Sequence, residues 1–184
     1  MREADPKWQV LASEVVFSAR PFVEISQQRV KLPDGRVIPD FHQAWIVDYA
    51  IICAETDQDQ VVMERLYKHG VRDVTLIFPG GGILEGEDPL AAAKRELLEE
   101  TGYAADHWVL LQKLVVHSNY GCGHAYFYHA TGAKLIQPPV HDDLEDIQVE
   151  LHPRSELGSL ANNGQIVLID CMAMLGALNL MEQH

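Results

Sequence analysis

Cysteine is scarce and unpaired in this 184-residue chain: Cys53, Cys122 and Cys171 are an odd number with no paired spacing. That excludes a disulfide framework and a CxxC zinc site, and leaves the expectation of buried thiols in a reducing cytoplasm. Positive charge is scarce as well. Fourteen Lys and Arg stand against 27 Asp and Glu, and the net charge of −13 repels nucleic acid and anionic membrane surfaces. A phosphate-bearing ligand would then need a local cationic site, which a bound metal ion supplies. No apolar run approaches the ~18 residues of a membrane span. The start, Met1-Arg2-Glu3-Ala4-Asp5-Pro6, lacks the hydrophobic core of a secretion signal, so a cytoplasmic location is expected. Repeats and low-complexity tracts are absent. The glycine run at Gly80-Gly81-Gly82 has neither the Gly-Lys-Ser/Thr of a P-loop nor the spacing G-x-G-x-x-G.

What is present is ordinary globular material, 47% apolar and 22% charged, in a chain long enough for a core of its own. Residues 8–17, 22–32 and 37–47 read as short β segments, the last two joined by a turn at Pro33-Asp34-Gly35, and together they predict a small antiparallel sheet. A composition shift near residue 48 divides 1–47 from 48–184. Beyond it, 49–54 and 61–67 predict a hairpin with a more buried face, and 74–78 a strand that ends in the glycine loop. Asp88-Pro89 is a helix start, with Asp88 as N-cap and Pro89 at the first helical position, and Gly102 is a stop. One helix is therefore expected over 89–101. Strands follow near 108–117, 124–130 and 147–151, and a last helix over 166–180. His117, His124 and His129 read as strand residues, because a hard cation prefers oxygen. Strands on both sides of one central helix, with another at the end, predict an α/β or α+β sandwich.

On a helix over 89–101, Glu96, Glu99 and Glu100 are related as i, i+3 and i+4 and share one face. Such a cluster opposes the helix, because like charges repel and acids near a C-terminal end oppose the macrodipole, each by about 0.2–0.5 kcal/mol. A divalent cation would offset that repulsion, and Mg²⁺ prefers carboxylate oxygens, waters and substrate phosphates. The alternative is a solvated acidic face. The wider pattern distinguishes the two. Gly81, Glu87, Arg95, Glu96, Glu99, Glu100 and Gly102, with Leu97 and Tyr103 in the hydrophobic slots, match the box G-x5-E-x7-R-E-U-x-E-E-x-G-U. Seven fixed positions arise by chance at roughly one in a million. The chain thus resembles the Nudix hydrolases.

That resemblance implies an α/β/α sandwich with a mixed sheet, and cleavage of a diphosphate linked to another group with the help of Mg²⁺ or Mn²⁺. It implies Glu96 and Glu100 as principal metal ligands, with Glu99 as a third or water-mediated one and the carbonyl of Gly80 joining them. Arg95 and Glu87 would orient the loop against the helix. Features outside the box resemble the branch that cleaves ADP-ribose and nucleoside diphosphate sugars. The strand Val61-Val62-Met63-Glu64-Arg65-Leu66-Tyr67-Lys68 is similar to that branch's strand ending in R-Q-Y-R, with Leu66 and Lys68 departing from it. Lys68, with Gly81 and Gly82, is expected to meet the substrate. In the acidic run Asp142-Asp143-Leu144-Glu145-Asp146, Asp143 is expected as general base and Glu145 as an auxiliary metal ligand. The sheet of 1–47 would build a homodimer. The stretch Val115 to Tyr120 lacks the proline of ADP-ribose enzymes, so a dinucleoside polyphosphate or another nucleoside diphosphate derivative stays open as substrate. A non-catalytic nucleotide-sensing module is the alternative of a different class.

Overall fold

The computed structural model describes residues 7–140 and 146–182. The chain divides into two compact units, one made of residues up to Val47 with Val115–His124, the other of Asp48–Leu114 with the residues from Ala125 onward. In the first unit, β1 (Gln9–Ala19), β2 (Val23–Lys31) and β3 (Val37–Trp45) form an antiparallel meander. The turn between β2 and β3 closes through Leu32 N to Arg36 O at 2.8 Å, with Gly35 at a φ of 89° that a side chain would resist. The segment 115–124 joins this unit, which composition alone did not indicate. There the Gln43 amide donates to Asn119 O at 2.7 Å, and Ala44 pairs with Gly121. Alternation along β1 gives no buried face: every residue of it is exposed, and Val30 is the one fully buried apolar side chain of the three strands.

The second unit is a sandwich around a mixed sheet. Its strands are β4 (Tyr49–Glu55), β5 (Gln60–Lys68), β6 (Asp73–Ile77), β11 (Gln148–Pro153) and the parts of β8 (His107–His117) and β9 (Gly121–Thr131) that lie in this unit. β4 runs parallel to β9 from Tyr49↔Ala125 to Glu55↔Thr131 and is buried through its whole middle, as a central strand demands. β4 and β5 pair only at Ala54↔Val62 and Glu55↔Val61. Beyond that point they part, and β6 pairs with β5 on the same edge from Glu64↔Ile77 onward, since β11 takes the other edge. The chain leaving β6 then runs along β4: Ile52 N donates to Pro79 O and Ala50 N to Gly81 O, both at 2.9 Å. The glycine loop is thereby set into the sheet between two strands.

Each face of the sheet carries helices. On one, Ala50, Ile52, Ala54, Val62 and Tyr128 pack against Ala93 of α1 (Pro89–Glu96) and Leu97. On the other, Ile51, Cys53, Met63, Leu76 and Phe127 pack against α2 (Leu157–Asn162) and against Cys171, Met174 and Leu178 of α3 (Ile169–Glu182). This is the α/β/α arrangement that the resemblance implied, and it settles the α/β or α+β alternative left by the order of elements. Asp88 caps α1 as expected, accepting from Leu90 N and Ala91 N at 3.1 and 3.0 Å, a cap worth about 1 kcal/mol. Four details differ from expectation. The helix over 89–101 is α only to Glu96, and its last turn, Leu97–Thr101, is a π turn. A two-residue ladder joins β7 (Tyr103–Ala104) to β10 (Lys134–Leu135), and α2 was not foreseen. Cys122 is only half-buried, at a φ of 59°, while Cys53 and Cys171 are buried and burial pushes both thiols up to about 12. Among the described residues no helix is long and apolar enough to cross a membrane.

Candidate active site

The site is built where the glycine loop meets α1 and its π turn. Gly80 lies so close to β4 that a Cβ there would stand 2.1 Å from Ala50 O, so only glycine permits the approach. Its N–H, freed to face the helix, donates to Glu100 Oε2 at 3.0 Å. At Gly81 a Cβ would fall 2.5 Å from the Glu96 carboxyl, so the missing side chain is what lets Glu96 lie against the loop. Gly82 contributes its carbonyl, which accepts from Arg95 Nη2 at 3.1 Å. The two glycines assigned to substrate are therefore engaged with the box's own side chains.

Arg95 joins loop to helix. Its guanidinium meets Glu87 as a two-pronged fork, Nε to Oε1 and Nη2 to Oε2, both at 3.0 Å. The remaining nitrogen, Nη1, donates to Glu96 Oε1 at 2.7 Å and Glu99 Oε2 at 3.1 Å. Glu87 also accepts from Leu84 N at 2.9 Å, so one carboxylate fixes both the bend of the loop and the arginine. The arginine and the Leu84 amide hold Glu87 below the usual carboxylate range, and Glu87 in turn raises Arg95 further.

Electrostatics separate the acids. Burial raises Glu96, against the opposing pull of Arg95. Burial, and then the charge of Glu96, raises Glu100 to about 7, while Gly80, Glu64 and Lys68 restrain the rise. Lys68, at the end of β5, thus acts on the cluster by its charge. Glu99 has 51% of its side chain exposed and stands at the rim. Among the described residues no three of these acids converge on one point; Arg95 holds Glu96 and Glu99 instead. The donor set nevertheless suits a hard divalent cation. Glu96 and Glu100 are carboxylates pushed toward neutrality by burial and by neighbouring acids, which a cation would reverse. Asp143 and Glu145 lie outside the described residues.

Sequence reasoning passed over two residues. Glu64 is fully buried in β5, where its side chain restrains the rise of Glu100; its signal was a lone acid among Val61, Val62, Met63 and Leu66. Thr101 is buried in the π turn, where its hydroxyl donates to Leu97 O and accepts from Tyr103 N. His117 and His129 serve the fold: His117 stacks on Tyr120, and His129 faces Glu55 at 3.0 Å.

Residues 46–170 match the model of the NUDIX domain. The chain is 25% identical over 177 residues to an ADP-ribose pyrophosphatase of Mycobacterium tuberculosis, covering 95% of this chain and 84% of that protein. It is 29% identical over 183 residues to a CMP-5'-(N-acetyl-N-hydroxy-3-aminopropyl)phosphonate hydrolase of Streptomyces rubellomurinus, covering 92% and 83%. A solved structure titled as an ADP compounds hydrolase superposes with a TM-score of 0.81 at 20% identity, covering 96% of this chain and 95% of that one, a likeness of fold. With the box geometry, these place the chain in the Nudix family, as a pyrophosphohydrolase similar to its ADP-ribose pyrophosphatase branch.

Proposed function

We propose that the chain is a divalent-metal-dependent hydrolase that cleaves the diphosphate of ADP-ribose or a related nucleoside diphosphate sugar to a nucleoside monophosphate and a sugar phosphate. The observation that carries this reading is the pair Glu96 and Glu100, half-buried against a glycine loop that has no room for side chains. Nudix hydrolases generally use divalent metals; Mg²⁺ or Mn²⁺, when bound, would neutralise the diphosphate and lower the pKa of an attacking water. Glu96 and Glu100 would hold the ion, with Glu99 reaching in from the rim and the carbonyl of Gly80 beside them. Arg95 and Glu87 keep the loop fixed to the helix, so that the acids stay aligned while the substrate is exchanged. Lys68 offers a point charge to a phosphate oxygen. Asp143 would take a proton from the attacking water, and Glu145 would assist at the metal.

The substrate assignment draws support from the Mycobacterium tuberculosis relative, which spans nearly the whole chain. A homodimer of this chain is likewise part of the proposal: β1 exposes an apolar strand that a second copy would cover. The test is a panel of nucleoside diphosphate sugars, dinucleoside polyphosphates and nucleoside triphosphates, each with Mg²⁺ and with Mn²⁺, assayed for released phosphomonoester. ADP-ribose or a nucleoside diphosphate sugar should be turned over fastest. Preference for a dinucleoside polyphosphate would reassign the substrate, and binding without turnover of any member would make the chain a nucleotide sensor.

A further inference from the structure

The last turn of the box helix is held from outside the helix. From Leu97 to Thr101 the backbone forms a π turn, a rare form that occurs mostly as single turns and often at functional sites. Closing over five residues instead of four, it turns less per residue than the ~100° of an α-helix, so Glu99 falls further from Glu96 around the axis than a regular helix would place it. Glu99 is exposed, while Glu96 and Glu100 are half-buried. A helix end leaves its last carbonyls without partners inside the helix. Here the carbonyl of Glu99 accepts from Val140 N at 2.7 Å, and that of Gly102, just past the turn, accepts from Ile136 N at 3.0 Å.

Residues 135–140 thus form a strap across the end of the helix. The ladder of Lys134 with Ala104 and Leu135 with Tyr103 anchors its start. Gly102, at a φ of 75°, lets it pass, since a Cβ there would stand 2.1 Å from Gln137 O. Pro138 and Pro139 then stiffen it, because each fixes its own φ and extends the residue before it. The Val140 side chain is 66% exposed, so the far end of the strap is held by its backbone N–H and not by packing. We propose that the strap is a positioning element: Val140, through that N–H, holds the Glu99 carbonyl and keeps the turn wide, and so sets the spread of Glu96, Glu99 and Glu100 that receives a divalent cation. This rests on the reading of those acids as metal ligands. Groups that orient ligands from behind characteristically set metal affinity by about 10–100-fold.

The test is Mn²⁺ binding to the full chain, followed by the electron paramagnetic resonance of free Mn²⁺, with thermal unfolding of the metal-free proteins alongside. Val140→Pro removes the N–H, and should weaken Mn²⁺ by at least about tenfold in a chain that still melts cooperatively. Val140→Ala keeps the N–H and trims only an exposed side chain, and should bind within about threefold of the parent chain. Pro138→Gly with Pro139→Gly keeps the N–H but frees the strap, and should weaken Mn²⁺ by more than about threefold. Parent-like affinity in Val140→Pro would overturn the inference; if that chain does not fold, parent-like affinity in the double glycine variant does so. A Val140→Ala variant as weak as Val140→Pro would also overturn it, because the side chain and not the N–H would then be what counts. Glu100→Gln separates the two levels: parent-like Mn²⁺ affinity there removes the ligand reading itself, whereas weakened binding there with Val140→Pro unchanged removes only the role of the strap.

Discussion

Arg95 makes contacts with Glu87, Glu96, Glu99 and the Gly82 carbonyl through one planar fork, a set that lysine cannot reproduce. Arg95→Lys should therefore loosen loop from helix and lower stability by about 1–3 kcal/mol, read by urea denaturation. An unchanged midpoint would show that the fork holds nothing in place. Glu100 gives the pH dependence. Its carboxyl, at about 7 in the fold against an ordinary 4.5, keeps a proton in the folded metal-free chain that the unfolded chain releases. The stability this carries is full below 4.5 and is lost as pH rises through about 7. The melting temperature of the metal-free protein should fall across that window, and Glu100→Gln should flatten the fall. A fall of equal size in the variant would assign it to other groups.

At the scale of elements, the π turn is what the spacing argument could not see. Glu96, Glu99 and Glu100 were legible as one face of a regular helix, but the turn from Leu97 to Thr101 is wider, and Thr101 secures it from within. Thr101→Val removes both hydroxyl bonds from a buried position and should cost about 1–3 kcal/mol, with Thr101→Ser recovering most of it; equal melting temperatures for all three chains would contradict that role. The cap at Asp88, the stop at Gly102 and the glycine loop were legible because each rests on local backbone chemistry. The box was legible because its acids and glycines stand at fixed spacing. The ladder of Tyr103–Ala104 with Lys134–Leu135 was not, since two-residue strands have no period to read. Nor was the inward aim of Glu64, which depends on the register of β5 with β6 and on the helix above it.

At the scale of the whole molecule, the surface carries a contradiction that assembly would resolve. A chain with net charge −13 is built to stay soluble, yet β1 exposes Val10, Leu11, Val15, Val16 and Phe17, an open strand of the kind that invites pairing. A homodimer of twice 20.6 kDa should be seen by light scattering at micromolar concentration. Val15→Lys with Phe17→Lys should shift it to the monomer, and a parent chain already monomeric would leave that strand without a partner.

The proposal that the acids of the box make this chain a metal-dependent pyrophosphohydrolase of nucleoside diphosphate sugars is tested most directly by following ADP-ribose and its products with ³¹P NMR in the presence of Mg²⁺. The account predicts conversion of the diphosphate to two phosphomonoesters, AMP and ribose 5-phosphate, abolished by chelator and reduced at least ~100-fold in Glu100→Gln. Turnover that survives either the chelator or the substitution, or an intact diphosphate in the parent chain, would contradict it.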